Sequence, residues 1–258
     1  MKSSDYSAAV NAELSLKNPL AEGARGMAVQ RVQEWLAFHS CRTGIDGAYG
    51  SATAAAVRKF QKQKQLSQTG EVDQATWQRL TAPIHEAFKD GSGDTLGERV
   101  RTIAQQHLNI RPVELGGNNC GPWVRIYTGG HDGADWAWCA GFVTSVLRQA
   151  CVELGLPMPI KGSLSCDTLA AQAQAAKLFV TERDLSSGNS NWNHLGKAYI
   201  FLARRTAGDW THTGFGFGGT HHSFDTIEGN SNNEGSRDGF EVCDLTRSAV
   251  KKDFIVLQ

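Results

Sequence analysis

Residues 136–143 read Trp-Ala-Trp-Cys-Ala-Gly-Phe-Val, and they open a segment whose apolar side chains recur at steps of three and four. The members of this stripe are Cys139, Phe142, Val143, Val146, Leu147, Ala150, Cys151 and Leu154. The spacing predicts an amphipathic helix with Cys139 in its first turn. Backbone N–H groups there have no intrahelical partner, so they favour a thiolate, the nucleophilic form of cysteine. Cys139 also fits a plain core position, and its partners must decide between the two interpretations.

The composition limits the classes of function. Of the 258 residues, 40% are hydrophobic, which is enough for a sizeable core in two domains. Basic and acidic residues number 26 each and form no basic run, so we expect no nucleic acid and no anionic membrane surface as a partner. The chain has no apolar run long enough for membrane insertion, and residues 1–6 do not resemble an export signal. We therefore expect synthesis in the cytoplasm without a signal peptide.

The cysteines and histidines do not predict a metal site. The six cysteines are Cys41, Cys120, Cys139, Cys151, Cys166 and Cys243. They form no Cys-x-x-Cys pair, so we expect them to be mostly reduced and separate, with a disulfide left open if the protein works outside the cytoplasm. His221 and His222 with His212 lack the spacing of a zinc site, and Asp132 and Asp135 form too short a cluster for calcium. No metal and no cofactor are expected.

The first third of the chain contains a half-repeat of helix and turn. The run Asp46-Gly47-x-Tyr49-Gly50-x-x-Thr53 is echoed by Gly70-Glu71-Val72-Asp73-x-x-Thr76-Trp77. Helical spacing around these turns predicts a compact three-helix unit. The two runs, continued to Gln61 and Leu80, resemble the peptidoglycan-binding domain of type 1 over roughly residues 14–81. The resemblance implies that this domain binds peptidoglycan, with Asp46, Tyr49 and Gln61 as candidate contacts.

A polar, glycine-rich stretch over residues 89–94 follows and has the composition of a flexible connection. It predicts a boundary near residue 90, with a peptidoglycan-binding domain over 1–90 and a second domain over 91–258. Thr95 and Glu98 are spaced as the capping box of a helix. From residue 197 onward, short apolar runs between turns predict strands. Helices followed by an antiparallel sheet make an α+β fold.

The late strands supply partners for Cys139. A cysteine nucleophile needs an imidazole within hydrogen-bond reach and a third group that orients the ring. His212 stands before Gly214, where the missing side chain would let a substrate backbone approach. A hairpin to the next strand would bring Glu228 or Asn230 beside His212. Each residue alone is more often structural, and only the combination favours catalysis.

These motifs together resemble the CHAP family of amidases and endopeptidases, which are papain-like cysteine peptidases. The matching runs are Asn119-x-Gly121-Pro122, Trp138-Cys139-Ala140-x-Phe142-Val143, His212-Thr213-Gly214 and Ile227-Glu228-Gly229-Asn230. The resemblance implies a papain-like domain with helices packed on the sheet. It makes Cys139 the nucleophile, His212 the general base and Glu228 the group that orients the imidazole. Asn230 becomes a further polar residue of the site, and Trp138 and Gly214 lie beside the substrate. The related NlpC/P60 enzymes generally use a third histidine, so Glu228 favours the CHAP branch.

The expected function is hydrolysis of a peptidoglycan amide, in the stem peptide or at the muramoyl–alanine link. A binding protein that has lost activity and a cysteine hydrolase for another amide are the alternatives. Because peptidoglycan lies outside the cytoplasm, the absence of an export signal predicts a phage endolysin or a type VI secretion effector. Either would act in the periplasm or cell wall of a host or target bacterium. An effector would also have an immunity protein or a secretion-apparatus component as a partner.

Overall fold

The computed structural model describes residues 5–232 and 239–257. The chain divides into two compact units, neither of which is continuous in sequence. The helical unit consists of residues 6–86 and 113–135, and the sheet unit consists of residues 87–112 and the chain from residue 136 onward. Within the described ranges, no helix has the length and apolar content that crossing a bilayer requires.

Most helices precede the strands, and the short strand β1 lies between α9 and α10. The helices are α1 (Ala8–Leu14), α2 (Met27–Phe38), α3 (Ser51–Gln63), α4 (Gln74–Leu80), α5 (Ala82–Ala87), α6 (Leu96–Ile110), α7 (Pro122–Thr128), α8 (Cys139–Leu154), α9 (Cys166–Ala175) and α10 (Glu182–Ser186), with a 3-10 helix at Trp192–Leu195. The strands are β1 (Phe179–Val180), β2 (Tyr199–Thr206), β3 (Asp209–Phe217), β4 (Ser223–Ser231), β5 (Glu241–Ser248) and β6 (Lys252–Val256).

Two buried glutamines support the turns of the helical unit. Gln33 of α2 donates from Nε2 to Asp46 Oδ1 at 2.8 Å and accepts the Asp46 backbone N–H at 2.9 Å. Gln61 of α3 has the matching place in the second turn, where it donates to the Glu71 carbonyl at 2.8 Å and accepts the Gly70 N–H at 3.0 Å. Buried turn backbone needs such partners because water cannot reach it. The half-repeat in the sequence is therefore a repeated helix–turn structure.

Residues 113–135 complete the helical unit through one buried arginine. Arg125 of α7 is 4% exposed, and its guanidinium lies 2.7 Å from Glu13, 2.6 Å from Glu34 and 2.7 Å from Asp132. Glu13 and Glu34 are buried as well, and a buried carboxylate needs a paired cation. The ion cluster therefore attaches α7 to α1 and α2.

The predicted division was into residues 1–90 and 91–258. The two units differ from it chiefly because residues 113–135 belong to the helical unit. The contacts that produce it join residues about a hundred positions apart, and such pairings leave no local pattern in a sequence. Asp132, considered above as a calcium ligand, is instead a partner of Arg125.

Residues 89–94 are not the flexible connection that their composition predicts. The Gly91 N–H donates to Glu153 Oε2 at 2.8 Å, and the Lys89 carbonyl accepts from Gln149 Nε2 at 3.3 Å. Arg99 pairs with the same Glu153 carboxylate at 3.0 Å. Side chains of α6 and α8 therefore fix this stretch within the sheet unit.

The sheet unit has the predicted α+β architecture. In the ranges that the structure describes, six strands form an antiparallel sheet in the order β1-β6-β2-β3-β4-β5. Helices α6, α8 and α9 pack on this sheet, and α6 begins with the predicted capping box of Thr95 and Glu98. Strands β3 and β4 are neighbours in the register that pairs Phe215 with Ile227. Side chains on these two strands therefore meet near the start of α8.

Candidate active site

Cys139 is the first residue of α8, as its apolar stripe predicts. The preceding residue, Trp138, makes no side-chain cap, so it does not occupy the N–H groups of the first turn. Cys139 is 7% exposed, and its sulfur is hydrogen-bonded to the side chains of His212 and Cys166 and to the backbone N–H of Thr213. Several donors thus converge on one nearly buried sulfur.

The imidazole of His212 joins Cys139 to a carboxylate. His212 lies on β3, and its Nε2 is 2.8 Å from Oε2 of Glu228 on β4. Because Glu228 occupies Nε2, Nδ1 is the ring nitrogen left to face the Cys139 sulfur. Thiol, imidazole and carboxylate therefore stand in the order that nucleophilic catalysis by cysteine requires.

Glu228 is completely buried and is paired with Arg247, which the sequence analysis did not identify. Arg247 on β5 donates from Nε to Oε1 at 2.8 Å and from Nη2 to Oε2 at 2.6 Å. Thr226 donates to Oε1 at 2.6 Å, and Ser231 donates to Oε2 at 3.2 Å. A buried carboxylate needs a paired cation, and a strand next to β4 is one place to look for it. That rule is the one signal that could have directed attention to β5.

These hydrogen bonds displace the pKa values of the three groups. Burial alone would raise the pKa of Glu228. The hydrogen bonds from Arg247 and His212 outweigh burial and lower this pKa to about 2. Burial alone would lower the pKa of His212. The hydrogen bonds to Cys139 and Glu228 outweigh burial and raise this pKa to about 9. The hydrogen bond from Cys166 and the hydrogen bond from His212 hold the pKa of Cys139 well below its ordinary value, although burial acts in the opposite direction. The shifts at Cys139 and His212 therefore both favour a thiolate–imidazolium pair.

Asn230 holds the chain just before the nucleophile. It has a left-handed backbone with φ 55°, which asparagine tolerates better than most residues. Its Oδ1 accepts the Trp138 backbone N–H at 2.8 Å, and its Nδ2 donates to the Gly239 carbonyl at 2.6 Å. Of the two candidates for the orienting group, Glu228 contacts the imidazole and Asn230 contacts the start of α8.

Trp138 and Gly214, which were predicted to lie beside the substrate, are interior residues. Trp138 is 0% exposed. A Cβ atom at Gly214 would lie 2.8 Å from Glu228 Cγ and 2.9 Å from the Phe201 ring. Glycine at this position therefore makes room for the Glu228 side chain, and the space that we assigned to a substrate backbone is already filled.

The expectation that the cysteines are mostly reduced and separate agrees with the structure, except that two of the thiols lie close together. All six are free thiols, but the sulfurs of Cys139 and Cys166 are 4.0 Å apart. Cys166 is the first residue of α9. The two residues lie 27 positions apart in the sequence, so no spacing rule connects them.

In the helical unit, two of the three predicted peptidoglycan contacts are interior. Tyr49 is 2% exposed and donates its hydroxyl to the Gly70 carbonyl at 2.8 Å, and Gln61 is 1% exposed. Asp46 is exposed, although its Oδ1 already accepts from Gln33 and from the Ala48 N–H at 2.8 and 2.9 Å. Burial argues against contacts by Tyr49 and Gln61, because both side chains are occupied in supporting the turns.

A groove of about 550 Å³ lies elsewhere on the helical unit. Its lining includes Leu16, Lys17, Asn18, Met27, Arg31 and Trp77. Met27 is 72% exposed, and it stands with Leu16, Leu20 and Trp77 in the lining of this groove.

The described residues contain no group of three or more His, Cys, Asp or Glu side chains placed to hold a metal ion. His221 and His222, considered above with His212 as zinc ligands, are exposed, whereas His212 is buried against Glu228.

Residues 25–80 match the peptidoglycan binding domain family. This match confirms the peptidoglycan-binding domain in the N-terminal part of the chain and supports peptidoglycan as a partner. The crystal structure of the SleB N-terminal domain is 30% identical, with 27% of this chain and 96% of that chain covered and a TM-score of 0.26. No curated protein matches the chain.

Proposed function

We propose that the protein is a peptidoglycan hydrolase whose Cys139 cleaves an amide bond of the stem peptide or the muramoyl–alanine link. The observation that carries this proposal is the hydrogen-bonded row of Cys139, His212 and Glu228. The peptidoglycan-binding domain supports the substrate class, because tethering raises the local concentration of substrate. A nucleophile at the start of a helix, with His and Glu on neighbouring antiparallel strands, supports a papain-like domain of the CHAP type.

Acylation starts from the thiolate–imidazolium pair. Cys139 Sγ attacks the amide carbonyl carbon, and the carbonyl electron pair moves to oxygen to form a tetrahedral oxyanion. The N–H groups in the first turn of α8 are the donors available for this charge. His212 then gives its proton to the amide nitrogen, the C–N bond breaks, and the amine leaves a thioester on Cys139.

Water completes the reaction. Neutral His212 takes a proton from water, the water oxygen attacks the thioester carbonyl, and the C–S bond breaks. The carboxylic acid leaves, and Cys139 returns to a thiolate beside the imidazolium. Glu228 stabilises the imidazolium whenever it forms, and Arg247 keeps Glu228 ionised and fixed.

The groove on the helical unit is the proposed contact with the wall. Stem peptides carry carboxylates, and Lys17 and Arg31 place positive charge at the groove beside the exposed Met27. The exposed Asp46 remains a second proposed contact.

Phage endolysin and type VI secretion effector are the two proposed settings. An effector would be toxic when directed to the periplasm, and an immunity protein covering Cys139 would suppress that toxicity. The test is lysis of cells that export the wild type or Cys139→Ala, with and without proteins encoded beside the gene. Suppression by such a protein favours the effector, and lysis that depends on a holin favours the endolysin.

The decisive experiment is digestion of purified sacculi followed by mass spectrometry of the released fragments. The wild type should release fragments whose new amino and carboxyl ends identify the amide that is cleaved. Cys139→Ala should lose on the order of 10³-fold or more in rate, because the nucleophile and base act as a unit. Cys151→Ala, at a buried position later in α8, is the matched control and should retain the rate.

Three results would contradict the proposal. Comparable digestion by Cys139→Ala would remove Cys139 from the nucleophile role. Binding of sacculi by the wild type without any release of fragments would leave a binding protein. Cleavage of a different amide, with sacculi untouched, would change the substrate class.

A further inference from the structure

Cys166 is the second thiol at the candidate active site. Its sulfur lies 4.0 Å from the Cys139 sulfur, and each of the two residues is 7% exposed. A sulfur–sulfur distance of this size permits an S–H···S hydrogen bond. Neither the proposed mechanism nor the family match gives Cys166 a role.

The position of Cys166 is set by the same strand that carries His212. Ser165 caps α9 by accepting the Thr168 N–H at 3.3 Å. The next carboxylate, Asp167 Oδ1, accepts the Trp210 N–H of β3 at 2.7 Å. Trp210 is two residues before His212 on β3. The same strand therefore positions both α9 and the imidazole, which fixes the distance between the two thiols.

The surroundings determine which thiol keeps its proton. His212 and the Thr213 N–H both donate to Cys139, so negative charge is stabilised there. Cys166 is buried next to Cys139 and to the carboxylate of Asp167, and the hydrogen bond to Cys139, burial and these charges raise its pKa. The proton therefore stays on Cys166, and the Cys139 sulfur accepts a hydrogen bond from the Cys166 thiol.

We propose that Cys166 is a positioning residue whose S–H donates a hydrogen bond to the Cys139 sulfur and so stabilises the reactive thiolate. The groups that face Cys139 are then His212 from β3 and Cys166 from α9, with Glu228 behind the imidazole and Asp167 behind the second thiol. The effect on hydrolysis rests on the proposed function, whereas the thiolate can be measured without any substrate.

The experiment measures the rate at which iodoacetamide alkylates Cys139 as a function of pH, in the full-length protein kept under a phosphine reductant. Peptide mass spectrometry separates Cys139 from the other cysteines. Cys166→Ala and Cys166→Val both remove the donor, and Val retains most of the volume in case Ala leaves a cavity. Cys166→Ser keeps a donor, and Cys151→Ala is the matched control at a second buried cysteine.

Removal of the donor should raise the pH midpoint of alkylation by roughly one unit, about a tenfold change in the acid dissociation constant of Cys139. Cys166→Ser should move the midpoint less, and Cys151→Ala should leave it in place. The acid limb of kcat/KM for sacculus hydrolysis should move with the alkylation midpoint.

An unchanged midpoint in folded Cys166→Ala and Cys166→Val, with folding checked by thermal unfolding, would overturn the proposal. A shift equal to that of Cys151→Ala would overturn it as well. A midpoint shift in a protein that does not digest sacculi would contradict the proposed hydrolase activity and leave the role of Cys166 standing. Digestion with no midpoint shift would sink the role of Cys166 alone.

Discussion

Glu228→Gln is the substitution that tests how the imidazole is held. It keeps the shape of the side chain but removes the charge that lies 2.8 Å from His212 Nε2. It also removes the carboxylate charge that the partly buried guanidinium of Arg247 pairs with. Both changes disfavour the imidazolium, and the loss of its charge disfavours the Cys139 thiolate.

The magnitude follows from the pKa of His212, which the site raises from 6.5 to about 9. An adjacent opposite charge accounts for roughly one to three pKa units in proteins. We therefore expect Glu228→Gln to lower the pKa of His212 by roughly two units, about 3 kcal/mol of lost stabilisation. The sign is clear, because the imidazolium exists only below the pKa of His212. The alkaline limb of activity moves down, and the acid limb of Cys139 alkylation moves up.

Asn230→Ala is the comparison, since Asn230 binds the Trp138 N–H and Glu228 binds the ring. We expect it to slow turnover by loosening the start of α8 while the alkylation midpoint changes much less. The double variant Glu228→Gln/Arg247→Gln removes both charges, which separates loss of orientation from the repulsion between Arg247 and the imidazolium. The assays are alkylation of Cys139 and kcat/KM on sacculi, each against pH. If Glu228→Gln leaves both limbs in place and Asn230→Ala moves them, the orienting role belongs to Asn230.

Further predictions concern stability and wall binding. Arg125→Met leaves the buried Glu34 without the Arg125 cation and leaves Glu13 with its longer pairing to Arg31 at 3.5 Å, so denaturant unfolding should show a loss of about 3–5 kcal/mol; a loss below about 1 kcal/mol would contradict the ion cluster. Gly229→Ala places a Cβ 2.6 Å from Phe142 Cβ and should cost about 1–3 kcal/mol, whereas Gly208→Ala, with open space around it, is the control. Because the pKa of Glu228 is lowered from 4.5 to about 2, Glu228 contributes about 3 kcal/mol to the free energy of unfolding above pH 4.5. This contribution is lost as the pH falls towards 2. Denaturant unfolding of Glu228→Gln against pH should lack this dependence. Met27→Ser with Lys17→Gln should weaken sedimentation with sacculi and preserve cleavage of soluble fragments, and equal loss of both would refute the groove as a separate wall contact.

The truncation that the sequence suggests is a poor test of the two units. Cutting at residue 90 would leave α7 in the product and remove Glu13 and Glu34 from Arg125. The guanidinium would keep Asp132 but lose its two buried carboxylates, and a buried charge that loses partners destabilises whatever remains. Substitutions in the full chain therefore separate wall binding from catalysis more cleanly than deletions do.

Local patterns in the sequence predict the elements that carry the candidate site. The helical period places Cys139 at the start of α8, and the turn residues of the half-repeat predict the helix–turn structure of the first unit. The late strands and the capping box at Thr95 follow from the same kind of rule. Each depends on neighbours within a few positions, which is the range over which helix period, capping and turn chemistry act.

The tertiary structure decided what each side chain contacts. Arg247 reaches Glu228 through the register of β4 and β5, Cys166 reaches Cys139 through the packing of α9, and Arg125 reaches Glu13 across 112 positions. Burial was decided in the same way: Trp138 and Gly214 are suitable residues for a substrate cleft, but the side chains packed on them fill that space. Strand register, helix packing and burial depend on residues distant in the chain, so the sequence predicts Cys139, His212 and Glu228, while only the folded chain shows that Cys166 and Arg247 lie beside them.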